Sequence, residues 1–143
     1  MNRYRDWLEQ ARRDLDHARQ SIPLSHFEWA CFAAQQAAEK GVKALHLRLG
    51  TVAWGHSVLE LLDGLPAGHR PEERLLDQAR ILDRFYIPPR YPNAHPAGPS
   101  HQFYTAADAQ QAVSAAEEVI EYCERQILQV GQGKSNTGAA ASG

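Results

Sequence analysis

Arg90 and His95 stand with four residues between them in the segment Asp83-Arg84-Phe85-Tyr86-Ile87-Pro88-Pro89-Arg90-Tyr91-Pro92-Asn93-Ala94-His95-Pro96. An arginine that grips an anion and a histidine that titrates near neutral pH form a minimal kit for phosphate chemistry. Metal-free RNA cleavage needs a base for the 2′-hydroxyl proton and an acid for the leaving oxygen. It also needs a cation for the charge that builds on the phosphorane. His95 fits the base or the acid, and Arg90 fits the cation through its planar fork. One such pair lacks a second proton carrier, which a symmetric partner could bring with its own loop. Asn93 could orient phosphate or base, and the rings of Tyr86 and Tyr91 could stack on a base. From Arg84 to Ala107 there is no acidic residue, yet Arg84, Arg90, His95 and His101 are present. Such a span attracts phosphate locally, although the whole chain carries a net charge of -2.

A plainer reading stays open beside this one: Arg90 pairs with a carboxylate such as Asp83, and His95 is merely exposed. Lys40 and Lys43 are further candidates for binding substrate. Three residues apart, they share a flank of one helix and either reach the same cleft or are simply solvated. His56 precedes a helix start and either binds an anion there or bonds to a neighbouring turn. The histidines show no HExxH-type spacing and Cys31 and Cys123 form no CxxC, so neither a metal nor another cofactor is expected.

The elements that must position these groups are helical. Leu8, Ala11, Leu15, Ala18 and Ile22 step by three and four, which predicts a first helix over 3–20 that stops near Pro23. A second helix is predicted over 24–49, with Gly50 as its cap. It carries a bulky stripe (Phe27, Cys31, Ala34, Ala38, Val42, Leu45, Leu49) and a small one (Ala30, Ala33, Ala37, Gly41, Ala44). The bulky stripe should face the core, and the small one would let another helix approach closely. Ser57 and Glu60 have the spacing of a capping box, which predicts a short third helix. Pro71, Glu72 and Glu73 suit the first turn of a fourth helix, with Leu75, Ala79, Leu82 and Tyr86 as its face. Five of the chain's eight prolines then fall at Pro88, Pro89, Pro92, Pro96 and Pro99, which predicts a loop of about 16 residues. Thr105 and Asp108 begin a last helix whose face is Ala112, Ala116, Val119, Cys123, Ile127 and Val130.

The expected fold is therefore an all-α bundle of four main helices and one short one, in a single domain over 1–130. Residues 131–143 hold no large apolar side chain that could anchor them, so a disordered tail is expected there. No run of about 18 apolar residues exists and the start lacks a signal-peptide core, so a non-membrane, cytoplasmic protein is expected.

The second helix contains Phe32-Ala33-Ala34-Gln35-Gln36-Ala37-Ala38-Glu39-Lys40-Gly41-Val42-Lys43-Ala44-Leu45. It is followed by Gly55-His56-Ser57-Val58, Leu61-Leu62, Leu82-Asp83, Tyr86 and Arg90-Tyr91-Pro92-Asn93. In this order the fragments resemble the HEPN domain, the "higher eukaryotes and prokaryotes nucleotide-binding" family, over 4–130. The resemblance implies a helical bundle, commonly a homodimer. Many members work beside a minimal nucleotidyltransferase as toxin and antitoxin, and others bind nucleotides or act as adaptors. Ribonuclease members carry an Arg, four to six residues and then a His, a spacing that Arg90 and His95 match. Two functions of different class follow as expectations. One is a nucleotide- or RNA-binding module with a nucleotidyltransferase-fold partner. The other is a metal-independent endoribonuclease toxin using Arg90 and His95.

Overall fold

The computed structural model describes residues 2–87 and 90–142, with the side chains of 132–142 excepted. Among the described residues there are five α-helices and no strand: α1 (Tyr4–Ser21), α2 (Phe27–Leu49), α3 (Val58–Asp63), α4 (Glu73–Asp83) and α5 (Ala106–Ser142). 3-10 turns at Ala67–His69, Pro92–Ala94 and Ser100–Phe103 lie in the connections. The all-α bundle with one short helix is the architecture observed. Pro88 and Pro89 lie outside the described residues, as do the side chains of most of the expected disordered tail over 131–143.

α2 is the axis of the bundle, packed mainly between α1 and α5. Both of its stripes are covered within the chain. Cys31, Ala34, Ala38, Val42 and Leu45 are buried, and so are Ala30, Ala33, Ala37, Gly41 and Ala44. The small stripe lets a neighbour come close: a Cβ added at Gly41 would sit 3.2 Å from Ile120 Cγ1 on α5. The stripe thus serves an intramolecular contact and gives no argument for a second subunit. α1 contributes Leu8, Ala11, Leu15 and Ala18 to the same core, and α5 contributes Ala112, Ala116, Val119, Cys123 and Ile127.

The ends of the helices are fixed by local chemistry. α1 ends before Pro23, and α2 begins at Phe27 rather than at residue 24. The delay is a turn in which the Ser25 amide bonds to the Ile22 carbonyl (2.9 Å) and the His26 amide to the Ser21 carbonyl (3.0 Å). Ser25 takes φ 62°, a left-handed conformation uncommon for a residue with a side chain. Gly50 caps α2 at φ 74°, where only glycine sits without strain. Ser57 Oγ accepts from the Glu60 amide at the start of α3. Thr105 and Asp108 form the reciprocal capping box at the start of α5, each side chain accepting the other's amide (3.0 and 3.1 Å). His46 is buried and joins α2 to α3, its Nε2 donating to the Leu61 carbonyl (2.8 Å).

Candidate functional site

Arg90 follows α4 and turns back over the bundle onto an aromatic ledge. Its guanidinium carbon lies 4.4 Å from the ring centre of Phe32, 5.2 Å from Tyr86 and 5.3 Å from Tyr91. Arginine stacks on such faces because its planar cation is weakly hydrated and the rings present negative charge. Nε donates to the Tyr86 carbonyl (3.2 Å), which fixes the plane of the fork. No carboxylate pairs with Arg90 among the described residues. Asp83, the neighbour expected to neutralise it, is committed elsewhere. Its carboxylate accepts from the Val58 amide (2.8 Å), the Leu59 amide (3.1 Å) and Ser57 Oγ (2.8 Å), and so caps α3. Those amides are the orphan donors of a helix start, and a carboxylate there also meets the positive end of the helix dipole.

The ledge itself is held from α2. Tyr86 stacks on His56 at 5.1 Å between ring centres. His56 Nδ1 bonds to Glu39 Oε1 (3.0 Å), and its carbonyl accepts from Gln35 Nε2 (2.8 Å). Glu39 is buried and takes Lys43 Nζ on its other oxygen (3.3 Å). A continuous chain thus runs from Lys43 through Glu39, His56 and Tyr86 to Arg90. His56 acts here as a tie between α2 and the loop, the structural role left open by the sequence.

Arg90 opens onto a cleft at the start of α2. One wall is the α1–α2 turn with Ser25 and His26; the other is the proline-rich loop with Pro92, Ser100 and His101. Glu28 and Trp29, from the first turn of α2, also line it. Trp29 is half exposed, at 49% of its surface, and meets Phe32 at a steep angle (6.3 Å between ring centres, 71° between planes). Glu28 is buried at 8% exposure, and its Oε2 has no hydrogen-bond partner among the described residues. The cleft therefore combines one fixed arginine, two histidines, one buried carboxylate and an accessible indole.

The other candidates are distributed around this cleft rather than gathered in it. Tyr91 is half exposed beneath the Arg90 fork, and Asn93 is exposed in the Pro92–Ala94 turn. His95 stacks face to face on Phe103 (4.5 Å between ring centres, 5° between planes) and edge-on to Tyr104 (5.5 Å). It is not among the residues lining the Arg90 cleft. Lys40 pairs with Asp14 of α1 and faces a separate hollow with Trp7 and Gln10. Lys43 reaches Glu39 and lies over the Trp7 ring. Of the cleft residues, His26, Glu28 and Trp29 carry no local signal in the sequence. Their role depends on the fold bringing the start of α2 against a loop far along the chain. No group of side chains able to hold a metal ion occurs among the described residues.

Comparison with known proteins gives this geometry a context. The sequence matches the profile of the HEPN domain over residues 4–126. Over 125 residues it is 25% identical to a Methanocaldococcus jannaschii protein named "Putative toxin MJ1304", a match covering 80% of this chain and 82% of that one. The fold superposes on the crystal structure of TT1696 from Thermus thermophilus with a TM-score of 0.86 at 52% identity, covering 88% of this chain and 99% of that one. It superposes on ST0689, described as an archaeal HEPN homologue, with a TM-score of 0.76 at 37% identity, covering 89% and 99%. A HEPN domain protein of Thermotoga maritima, TM0613, gives a TM-score of 0.69 at 36% identity, covering 84% and 95%. The chain belongs to the HEPN domain family.

Proposed function

We propose that this HEPN protein is a nucleotide- or RNA-binding module whose phosphate site is the Arg90 cleft. The observation that carries the reading is the setting of Arg90. Its fork is oriented by a ring ledge and one backbone carbonyl, and among the described residues no carboxylate neutralises it. A cation so prepared is suited to an anionic ligand, and the acid-free span around it adds to the attraction. The relative named as a toxin supports a place in a toxin–antitoxin pair. The family resemblance adds a partner of nucleotidyltransferase fold to this reading. Calorimetric titration with mononucleotides and short single-stranded RNA tests this. Binding should appear at low salt and weaken as salt rises, since it depends on displaced counterions and screened charge. Silence at low salt would overturn the reading.

A second reading is a metal-independent ribonuclease, favoured by the Arg90–His95 spacing and by the fixed ring of His95. It requires His95 and Arg90 to meet on one phosphate, with a second chain supplying part of the site. Its test is RNA cleavage in EDTA, leaving cyclic phosphate ends. His95→Ala and Arg90→Ala should each slow it by about 10²–10³. Cleavage that persists in both variants, or that needs a divalent ion, removes the enzyme and leaves the module.

A further inference from the structure

We propose that Glu28 reads the base of the bound nucleotide and selects guanine, by accepting hydrogen bonds from its Watson–Crick edge at the floor of the Arg90 cleft. The inference rests on the phosphate-site reading above and adds to it the identity of the base.

Glu28 is a carboxylate placed where water is scarce. It is only 8% exposed, and Oε2 is covered without a donor among the described residues. Buried carboxylates are normally paired or hydrogen-bonded, because an unmet acceptor forfeits the solvation it had in water. The dipole of α2 explains an acidic residue in the first turn, but an exposed side chain would serve it as well. Burial is left without an internal reason. No arginine, lysine or histidine forms an ion pair with Glu28 among the described residues, although Arg90, His26 and His101 line the same cleft. Arg90 is left for phosphate, and the carboxylate lacks a donor.

The missing donor should be neutral and planar. The neighbouring Trp29 offers a half-exposed indole in the same cleft. An aromatic face beside a hydrogen-bonding group is how single-stranded bases are held: stacking binds any base, and the edge contact selects among them. A carboxylate has acceptors only, so it selects an edge made of donors. Guanine offers two adjacent donors, N1–H and the N2 amine, which match the two carboxylate oxygens once the Glu28 side chain turns its covered Oε2 toward the cleft. Uracil offers one donor flanked by acceptors that a carboxylate repels.

Calorimetry with GMP, IMP and UMP tests this, since IMP differs from GMP only by the N2 amine. GMP should bind about tenfold more tightly than IMP, the worth of one hydrogen bond to a charged group, and more tightly still than UMP. In Glu28→Gln, which keeps the shape but replaces one acceptor by a donor, the advantage of GMP should shrink to about twofold or less. Binding of UMP should not fall. Circular dichroism confirms the fold of the variant, and the GMP–IMP comparison in the natural protein needs no variant. Equal binding of GMP and IMP, or a GMP advantage that survives Glu28→Gln, overturns the assignment and leaves Arg90 as a base-blind phosphate site. Absence of binding by all three nucleotides overturns the phosphate-site reading together with it.

Discussion

A buried ionisable group reports on its surroundings through the form it prefers. Burial pushes the Cys31 thiol up to about 12, and the nearby charges of Asp108 and Glu28 push the same way. Burial likewise raises Cys123, helped by Glu124. Both thiols are covered in the core and form no disulfide. Each is therefore neutral and unreactive in the native protein at neutral pH. The sign of the pH effect follows. Above the ordinary thiol value of 9.0 the unfolded chain releases protons that the folded chain keeps. The stability due to the neutral thiols is then fully present below that value and is lost as pH rises from it toward the folded value. Urea melts at about pH 7, 9 and 10.5 should show this decline. Ellman's reagent should label both cysteines only once the chain is unfolded. Rapid labelling of the native protein at neutral pH would contradict the buried placement.

At the scale of elements, Asp83 is a joint. One carboxylate closes the start of α3 from the last turn of α4, 25 residues away from the Val58 amide it accepts. Asp83→Ala should cost about 2 kcal/mol, the upper range for a lost helix cap, because two amides and a hydroxyl lose one partner together. Chemical denaturation measures it, and a change below about 0.5 kcal/mol, the scatter of ordinary surface substitutions, would contradict the role. This joint also marks what the sequence could disclose. Ser57–Glu60, Thr105–Asp108 and Gly50 act on residues within a turn, so their pattern marks helix boundaries correctly. The faces of α1 and α5 were legible because helical periodicity is local. Of the face expected for α4, Ala79 and Leu82 are buried, but Tyr86 lies beyond the helix end at Asp83, because the chain turns there to form the ledge under Arg90. Asp83 was not, since its cationic neighbour in sequence, Arg90, is not its partner in space. The small stripe of α2 was visible, but whether α5 or a second chain would fill it depended on packing at Ile120. Lys40 and Lys43 do share a flank, yet that flank meets α1 through Asp14 and Trp7 rather than opening on the cleft. Glu28 and Trp29 carry no such local signal, since only the fold brings them into one cleft with Ser100 and His101.

For the whole molecule, the surface around the cleft is its most informative feature. Leu24, Trp29, Ile87, Tyr91 and Phe103 are all exposed large apolar side chains in, or close in sequence to, the segments that form the cleft. Exposed apolar side chains beside a cleft suit an interaction site. The homodimer implied by the family resemblance is expected to use this face, not the small stripe of α2, and so to bring two Arg90 clefts near one another. Sedimentation at micromolar concentration should find twice the 16.0 kDa chain mass, and Leu24→Glu, at an exposed apolar side chain outside the cleft lining, should shift it toward the single chain. A single-chain species in the unaltered protein would contradict the dimer without touching the cleft. No helix among the described residues is long and apolar enough to cross a membrane.

Everything proposed for the cleft turns on Arg90 as the ligand-facing cation. Fluorescence anisotropy with a labelled single-stranded RNA tests it directly, comparing the natural protein with Arg90→Ala and with Arg74→Ala. Arg74 is a surface arginine paired with Glu118 and is not among the residues lining the cleft. Arg90→Ala should weaken binding by about tenfold or more at low salt, the loss of one charge-assisted contact, and should flatten its salt dependence. Arg74→Ala should leave both unchanged. RNA binding of equal strength and equal salt dependence in Arg90→Ala and the natural protein would contradict this role.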